Sequence, residues 1–122
     1  MKTSEHRRWS LRAVSAIAAG VTIALGTDGN TPWGPHAEMA DMVAAGMSPA
    51  RVIVAATRDA AAFLRLSDMG TIAAGKSADF IVLDANPLDD ITNTRRISSV
   101  YLRGSAVDRR MSPMVPVSRP PQ

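Results

Sequence analysis

The stretch Ala19-Gly20-Val21-Thr22-Ile23-Ala24-Leu25-Gly26-Thr27-Asp28-Gly29 decides how this chain is read: apolar and β-branched residues run up to a carboxylate and stop at a glycine. A short apolar run bounded by glycines predicts a strand over 21–26, and that strand delivers one acid to its own tip. In a β/α barrel, chemistry is placed at the C-terminal ends of the strands, so Asp28 would stand at the mouth of a site while Val21 to Leu25 fill the interior. Beside Gly29 the carboxylate has room to approach a metal or a water, as ligand or as general base. The plain structural alternative is an Asp-Gly turn that leaves a strand.

Upstream, Leu11, Val14, Ile17 and Val21 recur at helical spacing and predict an amphipathic helix over 8–19. The same segment carries a competing pattern: Lys2, Arg7 and Arg8 precede the apolar Ala13 to Leu25, as in an export signal cleaved near residue 26. The helix reading places the protein in the cytoplasm; the signal reading exports it. Downstream, Asp28 to Pro35 is a loop of turn formers around Trp33, which either borders a substrate or anchors on neighbouring helices.

Three more helices are predicted. One runs over 36–45 with Gly46 at its end. The second covers 49–56, with Ser48 as N-cap and Pro49 in its first turn. The third covers 58–66, capped by Thr57, with Asp59 near its positive end. From Gly70 the period changes. A short strand over 71–73, a turn at Ala74 to Ser77 and a long buried strand over 78–84 are expected, then a turn-rich loop at 86–90. Strands at 97–102 and 106–109 follow. The tail 111–122 holds four of the eight prolines and is expected to be disordered. The chain thus divides into 1–69 (helices and one strand), 70–110 (strands) and the tail, and each of the first two pieces looks incomplete, with sheet edges open to pairing.

Length and composition narrow the chemistry. At 122 residues and 46% hydrophobic content there is room for one packed domain, but not for a whole barrel of roughly 250 residues. The net charge is +3, with fourteen basic residues scattered among eleven acids, which argues against a nucleic-acid surface. The absence of cysteine removes disulfides, thiolate metal sites and a cysteine nucleophile, and no apolar run reaches the roughly 18 residues of a membrane span.

His36-Ala37-Glu38 has the look of a zinc-deaminase motif, but the Pro-Cys-x-x-Cys that must follow cannot occur here, leaving capping and dipole roles for the pair. The other histidine is His6, and there is no His-x-His or His-Glu-x-x-His, so a metal site from this chain alone is not expected. Gly70 to Ser77 satisfies the bare phosphate-loop pattern, yet it precedes a predicted strand rather than a helix, which argues against nucleotide binding.

The order of segments says more than any one motif. Ala19 to Gly29, then His36-Ala-Glu-Met, Ala45-Gly-Met-Ser-Pro, Ala55-Ala-Thr-Arg-Asp-Ala-Ala, Gly70 to Asp84, Asn86-Pro-Leu-Asp-Asp-Ile and Val100-Tyr-Leu-Arg-Gly follow one another at defined spacing. In that order they resemble the C-terminal third of metal-dependent amidohydrolases, in particular imidazolonepropionase-like and prolidase-like members, over about residues 8–110. The resemblance implies an α/β fold: the last strand (21–26) and flanking helices of a metallo-dependent hydrolase β/α barrel, followed by strands of a small β-sandwich. It implies that Asp28 binds the metal and handles the protons of the attacking water, and that the substrate is an amide or dipeptide whose C–N bond is hydrolysed.

It further implies a divalent metal, zinc being the expected ion, that activates water and polarises a carbonyl. The family's His-x-His of the first strand, its lysine or acid of the fourth and its histidines of the fifth and sixth have no counterpart here. The chain alone is therefore expected to be inactive and to need an N-terminal barrel portion or a homo-oligomeric partner, with no nucleic acid and no membrane. The alternatives are a non-catalytic interaction module pairing through open β-edges, or a truncated remnant.

Overall fold

The computed structural model describes residues 15, 16, 19–28 and 31–111. Three helices precede three short antiparallel strands: α1 (Gly34–Ala44), α2 (Pro49–Ala56), α3 (Arg58–Phe63), β1 (Phe80–Leu83), β2 (Ile97–Leu102) and β3 (Ser105–Ala106). Turns of 3-10 helix lie at Ile91–Arg95 and Arg109–Met111.

Local chemistry sets the helix ends. Pro35 occupies the first turn of α1, where its missing N–H is not needed. At the other end Gly46, at φ +105°, donates to Val43 O at 2.9 Å while Met47 N donates to Met42 O at 3.1 Å. This pair of reversed bonds is a Schellman motif, and Met47 turns inward as its apolar seal. Ser48 caps α2 by accepting from Arg51 N at 3.3 Å. Thr57, expected to cap α3, does not; its hydroxyl bends back and donates to Ile53 O at 2.7 Å. α3 stops at Phe63 rather than 66, because Arg65 turns to φ +59°.

The sheet has the order β1-β2-β3, with Phe80 opposite Tyr101 and Leu102 opposite Ser105. The facing rings of Phe80 and Tyr101 stack with centroids 4.7 Å apart, a cross-strand pair that pins the register. Arg103 (φ +50°) and Gly104 (φ +81°) form the two-residue loop between β2 and β3, and two positive φ angles are the mark of a type I′ hairpin, whose twist matches the strands.

Several expectations are corrected. Residues 21–27 form no strand: Leu25 N donates to Ala55 O at the end of α2 (3.0 Å), and no described strand lies alongside to complete a ladder. No strand forms at 71–73, where Lys76 N closes a turn onto Ala73 O and Ser77 N reaches Asp68 O. The strand expected over 78–84 is only Phe80–Leu83, and Ile81 and Val82 are exposed because no described layer covers them. The last strand is Ser105–Ala106 rather than 106–109. Of the helix expected over 8–19, only Ser15 and Ala16 are described as helical, and the tail 112–122 lies outside the described residues.

The core sits between the helices. Val52 is fully enclosed, at 0% exposure, and is grouped with Met39, Met47, Ala55 and Ile91; Leu25, Met42, Val43 and Ile53 close around them. Thus α1, α2, the first 3-10 turn and the Leu25 segment share one apolar centre.

Candidate functional site

That centre positions the segment carrying Asp28. Leu25 is held twice, by its backbone bond to Ala55 and by its side chain on the core cluster, so the chain leaves the helical layer at a fixed point. Three residues later Asp28 stands exposed, and the chain turns through Pro32 and Trp33 into α1. Gly34 N donates to Thr31 O at 3.0 Å and Ala37 N to Trp33 O at 3.0 Å, so the loop's exit is hydrogen-bonded. Trp33 is 61% exposed, which does not fit the anchor reading: its ring is presented outward at the N-terminus of α1 instead of being packed among the helices.

A contact that sequence reasoning missed braces this end of α1. His36 Nδ1 lies 3.0 Å from Thr94 Oγ1, a residue 58 positions away. The Thr94 hydroxyl donates its one proton to Ile91 O at 2.9 Å. A carbonyl can only accept, so Thr94 must accept from His36, and the neutral ring carries its proton on Nδ1 with Nε2 bare. Burial, reinforced by the charge of Arg95, lowers the pKa of His36 below its ordinary value. Capping and dipole roles were expected of this histidine; it instead ties the first turn of α1, eight residues beyond Asp28, to the 3-10 turn leading into β2. No local pattern signals such a bond, because its partner is distant in the chain.

Glu38, the companion of His36 in the motif, is exposed. Among the described residues no three or more His, Cys, Asp or Glu side chains come together as a metal-holding group. Asp28 is therefore not part of a ligand set within this described portion, and the residues present do not fit a divalent ion by themselves. Gly70 to Ser77 closes as a turn that leads into β1, not into a helix, and its backbone lacks the setting of a phosphate loop.

The family profile of amidohydrolases matches residues 7–107, a span running through Asp28, the three helices and the whole sheet. The chain belongs to the amidohydrolase family. Imidazolonepropionase of Deinococcus radiodurans is 34% identical over 97 residues, 73% of this chain and 24% of that protein. Ochratoxinase of Aspergillus niger is 46% identical over 80 residues, 62% of this chain and 16% of that protein. The crystal structure of a Xaa-Pro dipeptidase with methionine bound in its active site superposes with a TM-score of 0.75 at 34% identity, covering 81% of this chain and 25% of the dipeptidase. This amidohydrolase chain thus spans about a quarter or less of the length of these relatives. No helix among its described residues is long and apolar enough to cross a membrane.

Proposed function

We propose that this chain supplies the C-terminal share of an amidohydrolase that splits C–N bonds in amides or dipeptides with water, and that Asp28 is the carboxylate it brings to the reaction. The observation that carries this reading is the family match running unbroken through a segment that leaves Asp28 exposed on a tethered loop. An exposed carboxylate held at one end of a packed layer can accept a proton from a water attacking a carbonyl carbon and return it to the departing amine. Trp33, five residues on, offers an apolar face to the substrate's body. The segment 21–26 would gain its ladder bonds from neighbouring barrel strands outside this chain, which is where the partner portion enters. A divalent metal, zinc in this reading, would need most of its ligands from that portion.

The test is complementation. The chain is purified alone and together with the N-terminal portion of a related amidohydrolase, and both are assayed on a panel of amides and dipeptides. Hydrolysis should appear only in the complex, and Asp28→Asn should lower turnover by roughly 10²- to 10⁴-fold while leaving assembly intact. Hydrolysis by the chain alone, or a complex indifferent to Asp28→Asn, would refute the proposal.

A second reading rests on the sheet, whose outer strands β1 and β3 each pair on one side only among the described residues. Such edges can take up a further strand from another chain. A tight homo-oligomer on size-exclusion chromatography, unaffected by Asp28→Asn and inactive in complementation, would favour this non-catalytic role.

A further inference from the structure

A cleft of about 510 Å³ opens beside α3, far along the chain from Asp28. Arg58, Arg65 and Lys76 line it together with the apolar side chains of Ala62, Leu66 and Met69, and no acidic side chain takes part. The Asp59 carboxylate holds Arg58 Nε at 2.9 Å, and Lys76 Nζ donates to Ser67 O, so two of the three cations are oriented by neighbours. Arg65 and Lys76 have no ion-pair partner among the described residues.

The helix dipole does not account for this arrangement. It favours a cation at Arg65, just past the C-terminal end of α3, but opposes one at Arg58, its first residue. Both nonetheless face one cleft. Arg65 takes φ +59° as the residue that closes α3: its N–H donates to Ala62 O at 3.0 Å and Leu66 N donates to Ala61 O at 2.9 Å, the same paired closure as at Gly46 and Met47. That closure fixes the backbone from which its side chain lines the cleft beside Lys76.

We propose that this cleft binds an oxyanion carried on a short apolar group, either a carboxylate or a phosphate monoester. The charge lies between Arg65 and Lys76, and the apolar body rests on Ala62, Leu66 and Met69. The site is independent of the hydrolytic reading and stands or falls separately from it.

The experiment titrates the isotope-labelled full chain with sodium hexanoate and, separately, phenyl phosphate, at constant ionic strength maintained with sodium chloride, following the backbone amides of Leu66, Met69 and Thr71 by NMR. Saturable shifts of these amides with either probe are expected, and which probe saturates identifies the oxyanion. Arg65→Asn keeps a residue that accepts the left-handed backbone while removing the cation, and should weaken binding about tenfold. Arg51→Gln, an exposed cation on α2 outside the cleft, should leave it unchanged. Shifts that grow linearly with both probes, or an equal loss in Arg65→Asn and Arg51→Gln, would overturn the proposal, since net charge alone would then explain them.

Discussion

Gly70 and Gly75 occupy equivalent places in the sequence pattern, yet their surroundings separate them. Both have positive φ, +87° and +80°. A Cβ on Gly70 would lie 2.7 Å from Ala61 Cβ and 2.9 Å from Thr57 O, whereas one on Gly75 would meet nothing within 4 Å. Gly70→Ala must therefore push α3 away as well as strain the backbone, and should cost about 3 kcal/mol against about 1 kcal/mol for Gly75→Ala, read from urea denaturation. Equal costs would show that the close approach yields without penalty.

His36 makes a prediction of a different kind. Its folded pKa is lowered from 6.5 by burial and Arg95, so in the window just below that value the unfolded chain binds the extra proton. Stability must then rise with pH through the window and fall as the pH is lowered through it. The slope between pH 5 and 7 should shrink in His36→Gln; denaturant midpoints measured across that range check the sign. Asp79 behaves oppositely in origin. The backbone N–H of Arg103, 2.7 Å from its Oδ1, and then the Ser77 hydroxyl hold its carboxyl below the usual range, so its contribution persists at neutral pH and is lost only as acid protonates it.

Among the elements, helix caps divide into those declared by neighbouring residues and those that are not. Ser48-Pro49 places the start of α2, and the hydroxyl performs the expected bond. Thr57 offers the same chemistry before α3, but its hydroxyl is drawn to the carbonyl of Ile53 in the preceding turn. Ser48→Ala should thus destabilise the fold by about 1 kcal/mol, and Thr57→Ala by less than about 0.5 kcal/mol, as measured by thermal melts. A larger loss at Thr57 would mean that its backward bond matters more than capping. α2 was legible to the residue, and β2 likewise. The strand expected over 21–26 does not form among the described residues, because a strand exists only when a neighbour supplies the other half of its hydrogen bonds.

For the molecule as a whole, the small core stands against a broad apolar exterior. Phe63 is 78% exposed and Ile72 89%, with Leu64, Leu88 and Leu102 also exposed. Exposure of so many large apolar side chains accords with a chain spanning about a quarter of the imidazolonepropionase and dipeptidase it matches. The chain alone should bind a hydrophobic dye and self-associate at micromolar concentration. The double substitution Phe63→Ser and Ile72→Ser should suppress both without lowering the denaturation midpoint. Val52→Ala, at the enclosed centre, should instead cost about 2 kcal/mol. A dye-silent monomer would argue that the exterior needs no cover.

Residues close in the chain were enough to announce the three helices, the glycine seal of α1, the cap of α2 and the strand Ile97–Leu102, each of which depends on bonds or periodicities spanning only a few positions, while the order of motifs along the chain announced the family. The tie between His36 and Thr94, the seating of Leu25 on the helical core, the outward placement of Trp33 and the gathering of Arg58, Arg65 and Lys76 around one cleft appeared only with the folded coordinates. Each depends on which distant side chains meet in space, and packing decides that.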